Sequence, residues 1–90
     1  ITLEEAYSFD PAEGIPEDLR AHILGGQASV WGESIFSVFD FEWKAWPRTC
    51  AMAEILWTAP ARRDFAEFKT RLRTHRRRLI ADLVNCAPLE

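Results

Sequence analysis

Apolar and charged residues alternate with a helical period in the last third of the chain. The apolar positions, three to seven residues apart, are Phe65, Phe68, Leu72, Leu79 and Leu83. Asp64 precedes the first of them, and Glu67 follows at the spacing of a capping box, in which side chains cap backbone N–H groups of the first turn. The pattern predicts a helix over residues 64–84 that begins after Asp64.

A second helical pattern occupies residues 40–57 and contains a proline. One face would carry Trp43, Trp46, Cys50, Ala53 and Trp57. Asp40 is the expected N-cap of this helix. Proline within a helix removes a hydrogen bond and clashes with the preceding turn, so the pattern predicts either a kink at Pro47 or a helix that begins there.

The elements before residue 40 are shorter. Residues 1–15 are predicted to form a loop. A proline followed by two acids favours a short helix over residues 16–23, which a pair of glycines ends. Residues 26–31 are small or β-branched and predict a short buried strand, and residues 32–40 predict a second loop.

A single strand between helices is not a complete fold. Its N–H and C=O groups would lie unpaired at both edges, which folded proteins rarely allow. The order of elements is typical of the last βα unit of a (β/α)8 barrel followed by a terminal helix. We therefore predict that residues 1–90 are mainly α with one short β-strand, form the C-terminal part of such a barrel, and are incomplete as a fold on their own.

The predicted strand ends at an indole, and a carboxylate follows two residues later. Trp31 and Glu33 would point to the same side if the extended backbone continued through Gly32. A sugar ring stacks its C–H groups on an aromatic face, and its hydroxyls donate hydrogen bonds to a carboxylate. The pair therefore indicates carbohydrate binding, at the strand end where barrel enzymes place their active sites.

Composition limits the other partners of the chain. Its 11 basic and 14 acidic side chains give a formal charge of −3, which argues against a general nucleic-acid binder. No apolar run approaches the length that crosses a membrane. Cys50 lies on the apolar side of its predicted helix, and no spacing of ligands suggests zinc, so we expect Cys50 and Cys86 to be free thiols and the chain to bind no metal or other cofactor.

Three segments carry a more specific signal. They are ILGGQASVWGE at residues 23–33, WPR at residues 46–48 and AEILW at residues 53–57. In this order and with these gaps they resemble the C-terminal end of the family 20 glycoside hydrolases, the β-N-acetylhexosaminidases. Residues 3–11 and 85–89 also look like bacterial members of that family, so the resemblance covers nearly the whole chain.

The resemblance implies an enzyme that removes terminal β-linked N-acetylglucosamine or N-acetylgalactosamine with retention of configuration. In this family the substrate's own acetamido oxygen attacks the anomeric carbon, an Asp orients that group, and the adjacent Glu is general acid and base. The chain lacks this Asp-Glu pair, because Glu17-Asp18 has the reverse order. It also lacks the family's Tyr-x-Asp element, because Tyr7 and Asp10 are one residue too far apart. We expect no catalytic residue in the chain, and no activity from the chain alone.

The same resemblance assigns binding roles. Trp31 would form part of the apolar wall under the sugar, and Glu33 would accept hydrogen bonds from its O4 and O6 hydroxyls. Arg48 and Glu54 match structural positions and would be ion-paired within the barrel wall. The expected partners are glycans that end in N-acetylglucosamine or N-acetylgalactosamine and the remainder of the barrel. The family favours a periplasmic or secreted parent.

The arginine-rich stretch of the last helix allows an alternative function. It contains Arg71, Arg73, Arg76, Arg77 and Arg78. A self-contained helical interaction module would use these cations to bind an acidic partner. The net negative charge and the apolar stripe on the same helix favour an ordinary solvated outer face instead.

Aromatic residues are abundant for a chain of this size. The 90 residues include four Trp and six Phe, more than so small a domain easily buries. Either they form a compact core, or part of this surface faces the rest of a larger fold. The resemblance favours the second possibility, and it predicts that the isolated chain associates with copies of itself.

Overall fold

A computed structural model describes residues 1–89. These residues contain four α-helices: α1 (Leu3–Tyr7), α2 (Val38–Ala45), α3 (Arg48–Trp57) and α4 (Phe65–Ala81). Short 3-10 helices lie between them at Glu17–His22, Gly32–Ser34 and Pro60–Arg62. Within residues 1–89 there is no β-strand, so the chain is helical.

Helix α1 lies in the segment that the sequence predicted as a loop. Thr2 caps it: the Thr2 hydroxyl accepts from the Glu5 N–H at 3.1 Å, and the Glu5 carboxylate accepts from the Thr2 N–H at 2.6 Å. This reciprocal capping box stabilises a helix of only five residues. The prediction missed α1 because so short a helix depends on packing, and its inner side chains are buried.

The predicted strand over residues 26–31 is not formed. The backbone is extended at Ile23, three residues before this stretch, with φ −81° and ψ 113°, and at Trp31, its last residue, with φ −83° and ψ 134°. A strand also needs a hydrogen-bonded neighbour, and residues 1–89 contain no second extended segment paired with it. The helix predicted over residues 16–23 is the exposed 3-10 helix Glu17–His22.

The structure divides the pattern over residues 40–57 into α2 and α3. The Trp46–Pro47 peptide bond is cis. Pro47 is the N-cap of α3, so a new helix begins at the proline, which is one of the two predicted alternatives. Helix α2 begins earlier than predicted. Ser37, rather than Asp40, caps it, by accepting the Asp40 N–H at 3.2 Å.

Helix α4 begins where the sequence predicted and ends three residues earlier. The Asp64 carboxylate accepts from the Glu67 N–H at 3.1 Å and caps the helix. The helix ends at Ala81 in a Schellman motif, since Val84 N–H donates to the Leu79 carbonyl and Leu83 N–H to the Ile80 carbonyl.

The core lies where α1, α3 and α4 meet. Its buried members are Leu3, Ala6, Tyr7, Ala51, Ile55, Phe68 and Leu72. Phe68 and Leu72 come from the predicted stripe of α4, whereas Leu83 of the same stripe is 90% exposed. Within the described residues, no helix combines the length and the apolar character needed to cross a lipid bilayer.

Candidate functional site: an exposed indole and carboxylate beside a groove

Trp31 and Glu33 lie on a turn rather than on a continuing strand. Trp31 is extended and is the N-cap of the 3-10 helix Gly32–Ser34, which the Ile35 N–H closes by donating to the Gly32 carbonyl at 3.2 Å. The condition for a shared face, an extended backbone that continues through Gly32, is not met, because Gly32 begins a 3-10 turn that rotates successive residues by about 120°. The turn itself therefore sets the direction of Glu33.

Both predicted site residues are open to a ligand. Trp31 is 73% exposed, and Glu33 is exposed on the turn next to it. An exposed indole offers a flat apolar face, and an exposed carboxylate offers acceptor oxygens. Each group alone has the chemistry that binding a sugar ring requires.

Trp31 also lines a groove of about 520 Å³. The segment of residues 27–31 forms one side, and residues of α2 and α3 form the other. The polar side chains of Ser34, Lys44 and Arg48 line it together with Trp31. The groove thus combines an aromatic wall with two cationic side chains.

A hydrogen bond ties the turn to α2. The Lys44 ammonium donates to the Ser34 hydroxyl oxygen at 2.7 Å. Neither Ser34 nor Lys44 is predicted from the sequence, because a polar pair ten positions apart matches neither the helical nor the strand period. Trp31 and Glu33 were recognised by their residue types, an indole and a carboxylate, whereas Ser34 and Lys44 have neither group.

Arg48 is a structural residue, but it forms no ion pair with any carboxylate of residues 1–89. Its guanidinium donates to two backbone carbonyl oxygens, that of Ile1 at 2.9 Å and that of Lys44 at 2.8 Å. The carboxylate partner predicted for Arg48 is therefore not found among residues 1–89. Arg48 instead joins the start of the chain to the end of α2.

Glu54 does form an ion pair, and its partner is Arg71 of α4. Arg71 also pairs with Glu67 one helical turn before it, with Nε and the carboxylate oxygen 2.6 Å apart. Hydrogen bonds to Glu67 and Glu54 raise the pKa of Arg71, and the bond from Arg71 lowers the pKa of Glu67. The pairing expected for Glu54 is confirmed, and it links α3 to α4.

The arginine-rich stretch of α4 is only partly available to a partner. Besides Arg71, Arg76 is engaged, because its guanidinium donates to the carbonyl oxygens of Ala87 at 3.0 Å and Cys86 at 3.3 Å. Arg73, Arg77 and Arg78 are exposed. Two of the five arginines therefore hold the fold together, and the interaction module remains a prediction that no contact here favours.

Both cysteines are free thiols, as expected. Burial raises the pKa of Cys50 to about 11 and raises that of Cys86 as well. Both side chains are therefore neutral at pH 7 and unsuited to nucleophilic attack. Among residues 1–89, no three His, Cys, Asp or Glu side chains are grouped so as to hold a metal ion.

Comparison with known proteins connects this chain to one enzyme family. A family model described as "Glycosyl hydrolase family 20, catalytic domain" matches residues 1–60, which include Trp31 and Glu33. The chain is 39% identical over 75 residues to a beta-hexosaminidase of Akkermansia muciniphila, a match that covers 83% of this chain and 15% of that protein. It is 38% identical over 71 residues to a beta-hexosaminidase of Porphyromonas gingivalis, with 78% and 9% covered.

The similarity extends to eukaryotic proteins. Beta-hexosaminidase subunit beta of Sus scrofa is 34% identical over 84 residues, covering 92% of this chain and 16% of that subunit. The chain thus spans about a sixth or less of the length of these relatives. Because the catalytic-domain model matches two thirds of its 90 residues, the chain belongs to glycosyl hydrolase family 20.

Proposed function

We propose that the chain is the C-terminal part of an exo-acting β-N-acetylhexosaminidase that removes terminal β-linked N-acetylglucosamine or N-acetylgalactosamine. The match of residues 1–60 to the family's catalytic domain carries this proposal. The relatives named above are beta-hexosaminidases, which supports the same substrate class.

The mechanism proposed is the retaining, substrate-assisted one. The acetamido oxygen of the substrate attacks the anomeric carbon, a carboxylic acid protonates the departing glycosidic oxygen, and water then opens the oxazolinium intermediate. No Asp-Glu pair occurs in the 90 residues, so the carboxylates that orient the acetamido group and move the proton would belong to the rest of the enzyme. The chain alone would be inactive.

The fold proposed for the whole enzyme is a (β/α)8 barrel whose last strand is residues 26–31. The extended backbone at Ile23 and Trp31 is compatible with a strand that pairs once neighbouring strands are present. Helices α2 and α3 would then cover the outside of the barrel, and α4 would follow as the terminal helix.

Within that enzyme, Trp31 and Glu33 would supply part of the sugar-binding subsite. The Trp31 indole would stack against the apolar side of the sugar and its acetamido group. Glu33 would accept hydrogen bonds from O4 and O6, charge-assisted bonds that are shorter and stronger than neutral ones. Neither residue would transfer the proton.

A substitution in the full-length product of the gene tests these roles. We expect Glu33→Gln to raise KM for an aryl N-acetyl-β-glucosaminide roughly ten- to a hundredfold, since a hydrogen bond to a charged group contributes about 1.5–3 kcal/mol. Trp31→Ala should raise KM as well, and kcat should fall much less in both variants. Steady-state kinetics measures both constants.

The matched control is Glu13→Gln, which removes another exposed carboxylate, in the loop before the first 3-10 helix. We expect its kinetics to equal those of the unaltered enzyme. Unchanged KM in Glu33→Gln would contradict the binding role. A full-length product without hexosaminidase activity would contradict the proposed function as a whole.

A further inference from the structure

The turn that carries Glu33 has little to hold it in place locally. It is a 3-10 helix of three residues that begins with Gly32, and the side chain of its N-cap, Trp31, makes no capping hydrogen bond. Short 3-10 turns have poor hydrogen-bond geometry, and glycine adds backbone freedom. A defined position for Glu33 therefore needs a contact from outside the turn.

Lys44 supplies such a contact. It lies in the last turn of α2, its side chain is half-buried, and its ammonium donates to the Ser34 hydroxyl at 2.7 Å. The bond is charge-assisted on the donor side, which makes it stronger than a bond between neutral groups. Ser34 is the residue directly after Glu33, so the bond acts one residue from the carboxylate.

The backbone of Lys44 is itself fixed. The Arg48 guanidinium donates to the Lys44 carbonyl oxygen at 2.8 Å and to the Ile1 carbonyl oxygen at 2.9 Å. The ammonium therefore reaches Ser34 from an anchored point of the helix. The end of a long side chain is positioned more precisely when its backbone is anchored than when its backbone is mobile.

The opposite side of α2 is anchored as well. The Asn85 N–H donates to the Glu42 carboxylate at 2.9 Å, and the Asn85 side-chain amide donates to the Phe39 carbonyl oxygen at 3.0 Å. The C-terminal segment thus holds α2 from one side while Arg48 holds it from the other. Helix α2 is a rigid support for the turn.

We infer that Lys44 is a positioning residue that fixes Glu33 for sugar recognition through its bond to Ser34. This inference rests on the proposed function. A carboxylate held in one place forms a stronger hydrogen bond with one O4 epimer, equatorial or axial, than with the other, whereas a mobile carboxylate adapts to both. Lys44 therefore contributes to discrimination between N-acetylglucosamine and its C4 epimer, N-acetylgalactosamine.

The test uses the full-length enzyme with Lys44→Met, Ser34→Ala and the double variant. Aryl β-glycosides of N-acetylglucosamine and N-acetylgalactosamine are the two probes. We expect each single variant to raise KM for the preferred epimer about fivefold, to leave kcat within about twofold, and to bring the kcat/KM values of the two epimers closer together. The double variant should be no worse than either single one, because both substitutions remove the same bond.

Lys69→Met is the matched control. It removes the ammonium that lies over the Phe65 ring on α4, and the epimer preference should stay as in the unaltered enzyme. A Lys44→Met variant that loses thermal stability and kcat equally on both epimers would show a structural role and overturn the inference.

Glu33→Gln separates this inference from the proposed function. If Glu33→Gln raises KM and the Lys44 and Ser34 variants do not, the positioning role is wrong and the sugar-binding role stands. If Glu33→Gln leaves KM unchanged, the proposed binding role fails, and the positioning role fails with it.

Discussion

Among the described residues, Leu83 is the only one other than glycine with a positive φ. Its φ is 64°, in the left-handed region, where a Cβ atom meets the following carbonyl oxygen. The residue occupies the C′ position of the Schellman motif after α4, a position that helices usually give to glycine. Its side chain is 90% exposed, so it gains little from packing.

We expect Leu83→Gly to stabilise the folded protein. Glycine removes the left-handed penalty of about 1–2 kcal/mol and adds about 0.5–1 kcal/mol of chain entropy to the unfolded state, for a net gain on the order of 0.5–1 kcal/mol. Urea unfolding followed by circular dichroism measures the gain. Leu83→Ala, which keeps the strain and deletes the exposed side chain, should change the free energy of unfolding far less. Equal gains in both variants would contradict the strain argument.

At the residue scale, the sequence reveals the groups that carry chemistry but not the contacts that place them. Trp31 and Glu33 are recognisable because an indole beside a carboxylate suits sugar binding. Their shared direction required an extended backbone through Gly32, and the alternation rule does not apply there because Gly32 starts a 3-10 turn. The bond between Lys44 and Ser34 depends on how α2 folds back on the turn, which no local pattern encodes.

Tyr7 joins helix α1 to the start of α4 through its ring and its hydroxyl. Tyr7 is 7% exposed, its ring stacks on that of Phe68 with centroids 4.8 Å apart, and it lies 5.5 Å from the ring of Phe65. Its hydroxyl oxygen accepts from the backbone N–H of Asp64 at 2.9 Å, at the N-cap of α4. The contact therefore joins the end of one helix to the start of another, 57 positions apart in sequence.

We expect Tyr7→Phe to lower the free energy of unfolding by about 1 kcal/mol, because it leaves the Asp64 N–H without its partner while keeping the ring. Tyr7→Leu should cost more, since it also removes both aromatic contacts. Parallel urea titrations of the two variants give the difference. A Tyr7→Phe variant as stable as the unaltered protein would show that water replaces the hydroxyl at no cost.

At the element scale, prediction succeeded where periodicity is long and caps are strong. Helix α4 begins after Asp64 as expected, because its apolar stripe and its cap agree. Pro47 marked the start of α3, although the pattern alone could not choose between a kink and a new helix. Helix α1 was missed, and the strand over residues 26–31 was predicted without a partner to pair with, since both depend on contacts distant in sequence.

The whole molecule is more open than its mass requires. Its accessible surface is 6678 Å², whereas a compact monomer of 10.4 kDa exposes about 5,400 Å². Its radius of gyration is 14.6 Å, against about 12 Å for a compact domain of its length. The excess surface of about 1,300 Å² exceeds the roughly 800 Å² that one partner contributes to a standard stable interface.

Many large apolar side chains are exposed on this surface. Leu24 is 98% exposed, Trp57 92% and Phe36 86%, and Leu3 and Ile55 are the largest side chains that are completely buried. A soluble protein seldom leaves such groups in water unless another surface covers them. The rest of the proposed barrel would cover them in the full-length enzyme, whereas the isolated chain has only copies of itself.

We therefore expect the isolated 90-residue chain to self-associate and to bind a hydrophobic dye such as ANS. Apolar surface gains about 25 cal/mol for each Å² removed from water, and the formal charge of −3 is too small to keep copies apart. Sedimentation at increasing concentration should show the mass rising above that of a monomer, while the full-length enzyme binds little dye. Trp57→Lys, which replaces one of the most exposed apolar side chains with a charged one, should weaken the association. A chain that stays monomeric and binds no dye would show that its aromatic residues form a self-sufficient core, and the assignment to part of a larger barrel would lose its physical support.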